Sequence, residues 1–176
     1  MLKEYEVSFF GLKEGSHYFE YKVEKQFFEA FDYSEFLDAD VVIELNLVKK
    51  STLLELHFTA NGTIKVACDL TNEPFDQPIS GTLDMVVKFG EEFNDDNEEI
   101  IVIPHGSHQI NVAQYIYEMI VLATPNKKIH PGIEDGTLQS DILQKLEELK
   151  PKEKNNLNEI DPRWEDLKKL LIDKNT

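Results

Sequence analysis

The hydrophobic period of this chain changes once, and that change limits the folds open to it. Up to residue 104 the apolar residues come in short strand-like runs; from residue 111 they recur at helical spacing. Residues 5–12 and 17–31 alternate apolar and polar positions over parts of their length, as a half-buried strand does. "VVIELNLVKK" (41–50) and "LLELHFTA" (53–60) are separated by Ser51 and Thr52, which reads as a hairpin. The dipeptide Asn61-Gly62 comes next, a pair favoured in two-residue turns because both central positions need positive φ. A second reversal is therefore expected there, with "TIKVACDL" as the following strand. "TNEPFDQP" supplies another bend, with Pro74 and Pro78 interrupting pairing at its edges. Residues 79–90 and 98–104 read as the last substantial strands. Successive hairpins imply an α+β protein built on an antiparallel β-meander or partly open barrel.

"NVAQYIYEMIVLA" (111–123) places Val112, Tyr115, Ile116, Met119, Ile120 and Ala123 on one wide face, so a helix packed on the sheet is expected. Asn111 suits its N-cap, and "TPN" ends it. A loop, "NKKIHPGIEDG", leads to a second helical pattern with Leu138, Ile142, Leu146 and Leu149 on one side, stopped by Pro151. Residues 151–160 are charged, polar and unpatterned, as linkers are. The organisation expected is thus a β-rich body, 1–126, with its helix at 111–123; a loop and helix, 127–150; a linker, 151–160; and a terminal helix, 161–173. That last segment holds the only Trp of the chain. Asp161 can cap it, Pro162 falls where a missing N–H costs nothing, and Trp164, Leu167 and Leu171 form an apolar stripe. A helix of about 11 residues is marginal alone in water, so the stripe calls for something to dock on.

Charge narrows the function classes. The 176 residues carry 18 Lys+Arg and 34 Asp+Glu, a formal net charge of −16. Residues 1–140 hold 10 cations and 25 anions, whereas residues 141–176 hold 8 and 9. Such a body repels phosphate backbones and attracts basic proteins. No apolar run approaches the ~20 residues of a membrane-spanning helix, the opening residues lack a signal-peptide pattern, and the single Cys68 has no internal disulfide partner. A cytoplasmic protein without a membrane role is expected.

Catalytic and metal patterns are weak. His105 and His108 lie three apart, but a structural zinc site needs four ligands. "EEFNDDNEEI" (91–100) lacks the spacing and central Gly of a calcium loop and reads as a solvated hairpin loop. Cys68 lies in a strand pattern and reads as a small buried hydrophobe. No phosphate-cradling Gly loop or nucleophile elbow is present.

Four stretches, in order and spacing, resemble the YceD family, the large ribosomal RNA subunit accumulation proteins of bacteria and plastids. "VACDLTNEPFDQPISG" carries Cys68, Asp69, Pro74 and Phe75; "EEIIVIPHGSHQINVAQYIYEMIVLATP" carries Glu118 and Pro125. "KKIHPG" carries His130 and Pro131, and "DPRWEDLKKLL" is similar to the family's Asp-Pro-Arg-aromatic ending. Many relatives have a second cysteine where this chain has Thr71, and more in the loop that here reads "HPGIEDG", so the resemblance carries no zinc site across. It implies a role in accumulation or processing of large-subunit (23S) rRNA, without a known catalytic activity, metal or cofactor. With the charge balance, it points to a non-catalytic ribosome-biogenesis factor that contacts a basic ribosomal or ribosome-assembly protein. Asp161, Pro162, Arg163, Trp164, Leu167 and Lys168 are the candidate partner-binding residues. In this reading rRNA is reached indirectly or through the C-terminal tail. The alternative is an RNA-binding module using the tail cations Lys145, Lys150, Lys152, Lys154, Arg163, Lys168 and Lys169. An enzyme built on Glu118, Cys68 or the histidines is the least favoured class.

Overall fold

A computed structural model describes residues 2–97, 100–138 and 140–150. The chain divides into two compact units, Met1–Ser140 and Asp141–Thr176. The first unit is α+β. Its centre is a five-stranded sheet of β2 (Gly15–Glu24), β3 (Asp38–Lys49), β4 (Leu53–Ala67), β5 (Pro74–Gly90) and β6 (Ile100–Pro104), in that spatial order. A two-stranded sheet of β1 (Glu6–Ser8) and β7 (Gln109–Asn111) lies apart from it. Helices α1 (Lys25–Glu29), α2 (Ala113–Ala123) and α3 (Pro131–Glu134) complete the unit. The described element of the second unit is α4 (Asp141–Leu149), whose Ile142, Leu146 and Leu149 are exposed; Leu138 falls outside it. Residues 151–160 and 161–173, expected as linker and terminal helix, lie outside the described residues, and with them Asp161, Pro162, Arg163, Trp164, Leu167 and Lys168.

Strict alternation builds the core. On β3, Ala39, Val41, Ile43, Leu45 and Leu47 are buried, and on β4 Leu54, Leu56, Phe58 and Ala60 face the same way. Each fully buried Leu or Ile of this kind stabilises by roughly 2 kcal/mol, so these rows specify which face turns inward. Against that face α2 sets Ile116, Met119 and Ile120. Gly81 of β5 lets it approach, since a Cβ there would stand 3.2 Å from the Ala123 Cβ. Phe28 and Phe31 of the α1 region meet Tyr117 of α2, the latter pair stacked at 4.5 Å. The N-cap of α2 is Val112 rather than the expected Asn111, which ends β7 and whose side-chain oxygen accepts the Ala113 N–H at 3.0 Å.

The structure differs from the sequence reading in several places. Asn61 and Gly62 make no turn. They sit inside the 15-residue β4, with Asn61 paired to Val42 and Ser80, and Gly62 to Val41 and Ile79. Glycine is required here for closeness, because a Cβ on Gly62 would lie 2.6 Å from the Val41 Cα. The expected antiparallel meander holds from β2 to β5 only: β6 pairs with β5 in parallel, Val86 opposite Ile100 through Gly90 opposite Pro104. The acidic run is thus no hairpin loop. It returns the chain to Val86, so that β6 runs beside the last five residues of β5, and Asn94 bridges back to Val102 on the far side of β6. The sheet consequently stays open, with β2 at one edge, and forms no barrel. Finally, the run 17–31 divides into β2 and α1, where adjacent Phe27 and Phe28 are both buried and strand alternation ends. Pro78 lies within β5, opposite Thr63, along the part that β6 does not pair, where a missing N–H is tolerated. Among the described residues no helix is long and apolar enough to cross a membrane.

Gly62→Ala tests the close approach of β3 and β4. The collision is with backbone, so a loss of about 2 kcal/mol or more, or about 4–8 °C in Tm, is expected by thermal denaturation. An unchanged Tm would show that the two backbones are not held this tightly.

Candidate functional site

The reversal expected in residues 71–78 occurs at residues 68–73, between β4 and β5, and none occurs at Asn61. The Cys68 N–H donates to the Glu73 carbonyl at 2.9 Å, and the Asn72 N–H to the Cys68 carbonyl at 2.8 Å. Asn72 has φ 59°, a left-handed conformation that Asn accepts more readily than most residues. This turn is stapled to the segment that follows α2. Asp69 and Lys128 exchange hydrogen bonds, the Asp69 N–H donating to the Lys128 carbonyl at 2.8 Å and the Lys128 N–H to Asp69 Oδ2 at 2.7 Å. Lys128 Nζ continues to Glu35 at 3.1 Å. His130 closes the staple: its N–H donates to Cys68 Sγ at 3.3 Å and its ring lies 5.4 Å from that of Phe75.

Local chemistry explains α3. His130 Nδ1 accepts the Gly132 N–H at 2.9 Å, which caps the helix and places the neutral ring's proton on Nε2. Pro131 takes the first helical position, where its lack of an N–H costs nothing. Gly132 is buried, and a Cβ on it would stand 2.9 Å from His130 Nδ1 and 3.0 Å from the Leu138 Cβ.

Cys68 is buried as expected, yet it is more than a small hydrophobe. Burial alone would push its thiol up. The Thr71 hydroxyl and the backbone N–H groups of His130, Leu70 and Thr71 favour the thiolate and outweigh burial, holding the thiol below its ordinary 9.0. Thr71 is itself buried, and its hydroxyl also accepts the Glu73 N–H at 3.4 Å.

The structure therefore brings together Cys68, Asp69, Phe75, His130 and Pro131, with Pro74 opening β5 beside them. Glu118 and Pro125 stand elsewhere. Glu118, on α2, accepts from Gln114 at 2.6 Å and lines a groove of about 560 Å³ with Gly81, Asp95, Met119 and Leu122. Pro125 follows the Thr124 cap of the same helix. His105 and His108 have separate tasks: the His105 N–H donates to the Gly90 carbonyl at 2.8 Å, and the His108 ring meets Phe10 at 4.6 Å. Zinc does not fit the Cys68 turn, which offers one sulfur, a hydroxyl in the place of a second, and an imidazole nitrogen already engaged by Gly132. Among the described residues no three His, Cys, Asp or Glu side chains converge as metal ligands do. Sequence reasoning missed Thr71, Lys128 and Gly132: Lys128 acts across 59 positions, whereas Thr71 and Gly132 make local bonds, to Glu73 and His130, that no motif marks.

The fold and this staple define an α+β protein whose motif residues fasten a turn to a loop. A family model described as "Large ribosomal RNA subunit accumulation protein YceD" matches residues 56–171, from within β4 to the end of the terminal motif. The chain belongs to the YceD family. No curated protein and no solved structure matches it.

Thr71→Val keeps the shape of the side chain and removes one donor to the sulfur. The Cys68 titration, followed by thiolate ultraviolet absorbance, is expected to move to higher pH. Because the folded thiol is depressed, its contribution to stability is full above pH 9.0 and is lost as pH falls through its folded pKa. The variant should gain less stability than the parent over that rise. An unmoved titration would show that Thr71 does not donate to Sγ.

Proposed function

We propose that the protein is a non-catalytic ribosome-biogenesis factor, acting in the cytoplasm, that supports accumulation or processing of 23S rRNA by contacting a basic ribosomal or ribosome-assembly protein. Family membership supports the link to large-subunit rRNA. The observation that carries the mode of action is the charge of residues 1–140, with 10 cations against 25 anions. A field of that sign slows encounter with a phosphate backbone and speeds encounter with a basic protein. The candidate residues 161–164, 167 and 168 add an apolar stripe and two cations that a partner can grip.

A second reading is favoured by the near-neutral tail, in which Lys145, Lys150, Lys152, Lys154, Arg163, Lys168 and Lys169 concentrate; there rRNA is bound directly by residues 141–176. Capture by the tagged full chain at low and moderate salt separates the two. The protein-contact reading expects one or more basic large-subunit or assembly proteins, weakening as salt rises, with rRNA lost when those proteins are removed. Recovery of protein-free rRNA, abolished by changing Lys152, Lys154, Arg163, Lys168 and Lys169 to Gln, would overturn it in favour of the tail.

A further inference from the structure

The sheet face opposite the core carries a hollow that shares no residue with the Cys68 staple. Register alone assembles it: Tyr18, Asn46 and His57 stand opposite one another across β2, β3 and β4, and Glu20, Glu44 and Thr59 form the adjoining row. These six residues and Phe19 line about 510 Å³. Elsewhere on this face the carboxylates have partners. Lys22 reaches Glu24 at 2.9 Å and Asp40 at 3.6 Å, Lys65 reaches Asp76 at 3.7 Å, and His57 Nδ1 meets Asp84 at 2.7 Å.

Glu20 and Glu44 break that pattern. They face each other directly across β2 and β3, and among the described residues neither makes an ion pair or side-chain hydrogen bond. Like charges directly opposite on a sheet destabilise it, so the pair is kept against a cost that a bound cation would remove. Asn46 supplies a second observation: its Oδ1 is buried and, among the described residues, accepts no hydrogen bond. Tyr18, 78 % exposed, borders the hollow with a ring that stacks on no other described aromatic. Two facing carboxylates and a free aromatic face border one concavity, with the Asn46 side chain at its floor.

We propose that this hollow receives an arginine side chain of the basic protein partner, an inference that rests on the protein-contact reading above. A guanidinium is planar, stays charged and donates five N–H bonds in a fixed fork, which suits two carboxylates that face each other. Its flat face also stacks on an aromatic ring such as that of Tyr18. Ammonium offers neither the fork nor the face. Phosphate is repelled by the same carboxylates that attract the cation.

The probe is N-acetyl-arginine amide, titrated into the ¹⁵N-labelled full chain at constant ionic strength and followed by amide NMR. Saturable shifts centred on Tyr18, Glu20, Glu44, Asn46 and Thr59 are expected. The Glu20→Gln, Glu44→Gln variant should weaken them about tenfold or more while leaving the rest of the spectrum unchanged and the Tm equal or higher. Equal binding of N-acetyl-lysine amide overturns the guanidinium assignment. Shifts spread without saturation over the acidic surface, or unaffected by the two substitutions, overturn the site. Capture of a basic large-subunit protein by the parent, undiminished in the double Gln variant, overturns the hollow and leaves the protein-contact reading standing; an arginine-binding parent that captures no basic protein does the reverse.

Discussion

Fifteen consecutive pairs join β4 to β5, from Leu53 opposite Lys88 to Ala67 opposite Pro74, and every other feature of the described body hangs on that ladder. An antiparallel ladder of this length fixes the face of each residue, because a slip of one position would turn every buried Leu, Phe and Ile of β4 outward. Its far end must close in a tight reversal, which the Cys68 turn provides with Asn72 in a left-handed conformation. Its inner face carries the core, covered by α2. Its outer face is left polar and carries Glu55, Asp76 and Asp84.

The staple follows from the same ladder. Once β4 ends in the 68–73 turn, the buried polar groups there need partners, and the segment after α2 supplies them through Lys128 and His130. An unpaired buried donor or acceptor costs about 1–3 kcal/mol, a penalty avoided where the His130 N–H meets the buried Cys68 Sγ and the Glu73 N–H meets the buried Thr71 hydroxyl, while the Asp69–Lys128 bonds fasten the exposed rim. Hydrogen bonds do here what a cross-linking metal does in other small turns. The site residues Cys68, Asp69, His130 and Pro131 thus have a clear structural task, and the functional chemistry is sought at surfaces.

Local pattern was enough for part of this fold. Ser51 and Thr52 mark the hairpin between β3 and β4, and the helical recurrence of Ile116, Met119 and Ile120 marks α2 within two residues of its start. Asn61-Gly62 misled because one residue type meets two different demands: glycine permits a positive φ in a turn and also permits close backbone approach in a strand. Partner choice was invisible for β6, whose sequence fits a parallel neighbour as well as an antiparallel one. Strands β1 and β7 are three residues each, too short to show a period. For the site, the motifs named Cys68, Asp69 and His130, while their convergence and the part of Lys128 depend on contacts between distant segments, and the part of Thr71 is a local turn bond that no motif marks. The Glu20–Glu44 hollow could not be read from sequence at all, since it exists only in the register of β2 against β3.

The central claim is that an acidic protein body reaches large-subunit rRNA through a basic protein. Amine-directed crosslinking in cells, read by mass spectrometry, tests it most directly, because Lys22, Lys65 and Lys88 report from the strands β2, β4 and β5 of the acidic sheet face. The account predicts crosslinks from these lysines to a basic ribosomal or ribosome-assembly protein. Crosslinks from these lysines to no protein, with the chain recovered on rRNA alone, would contradict it.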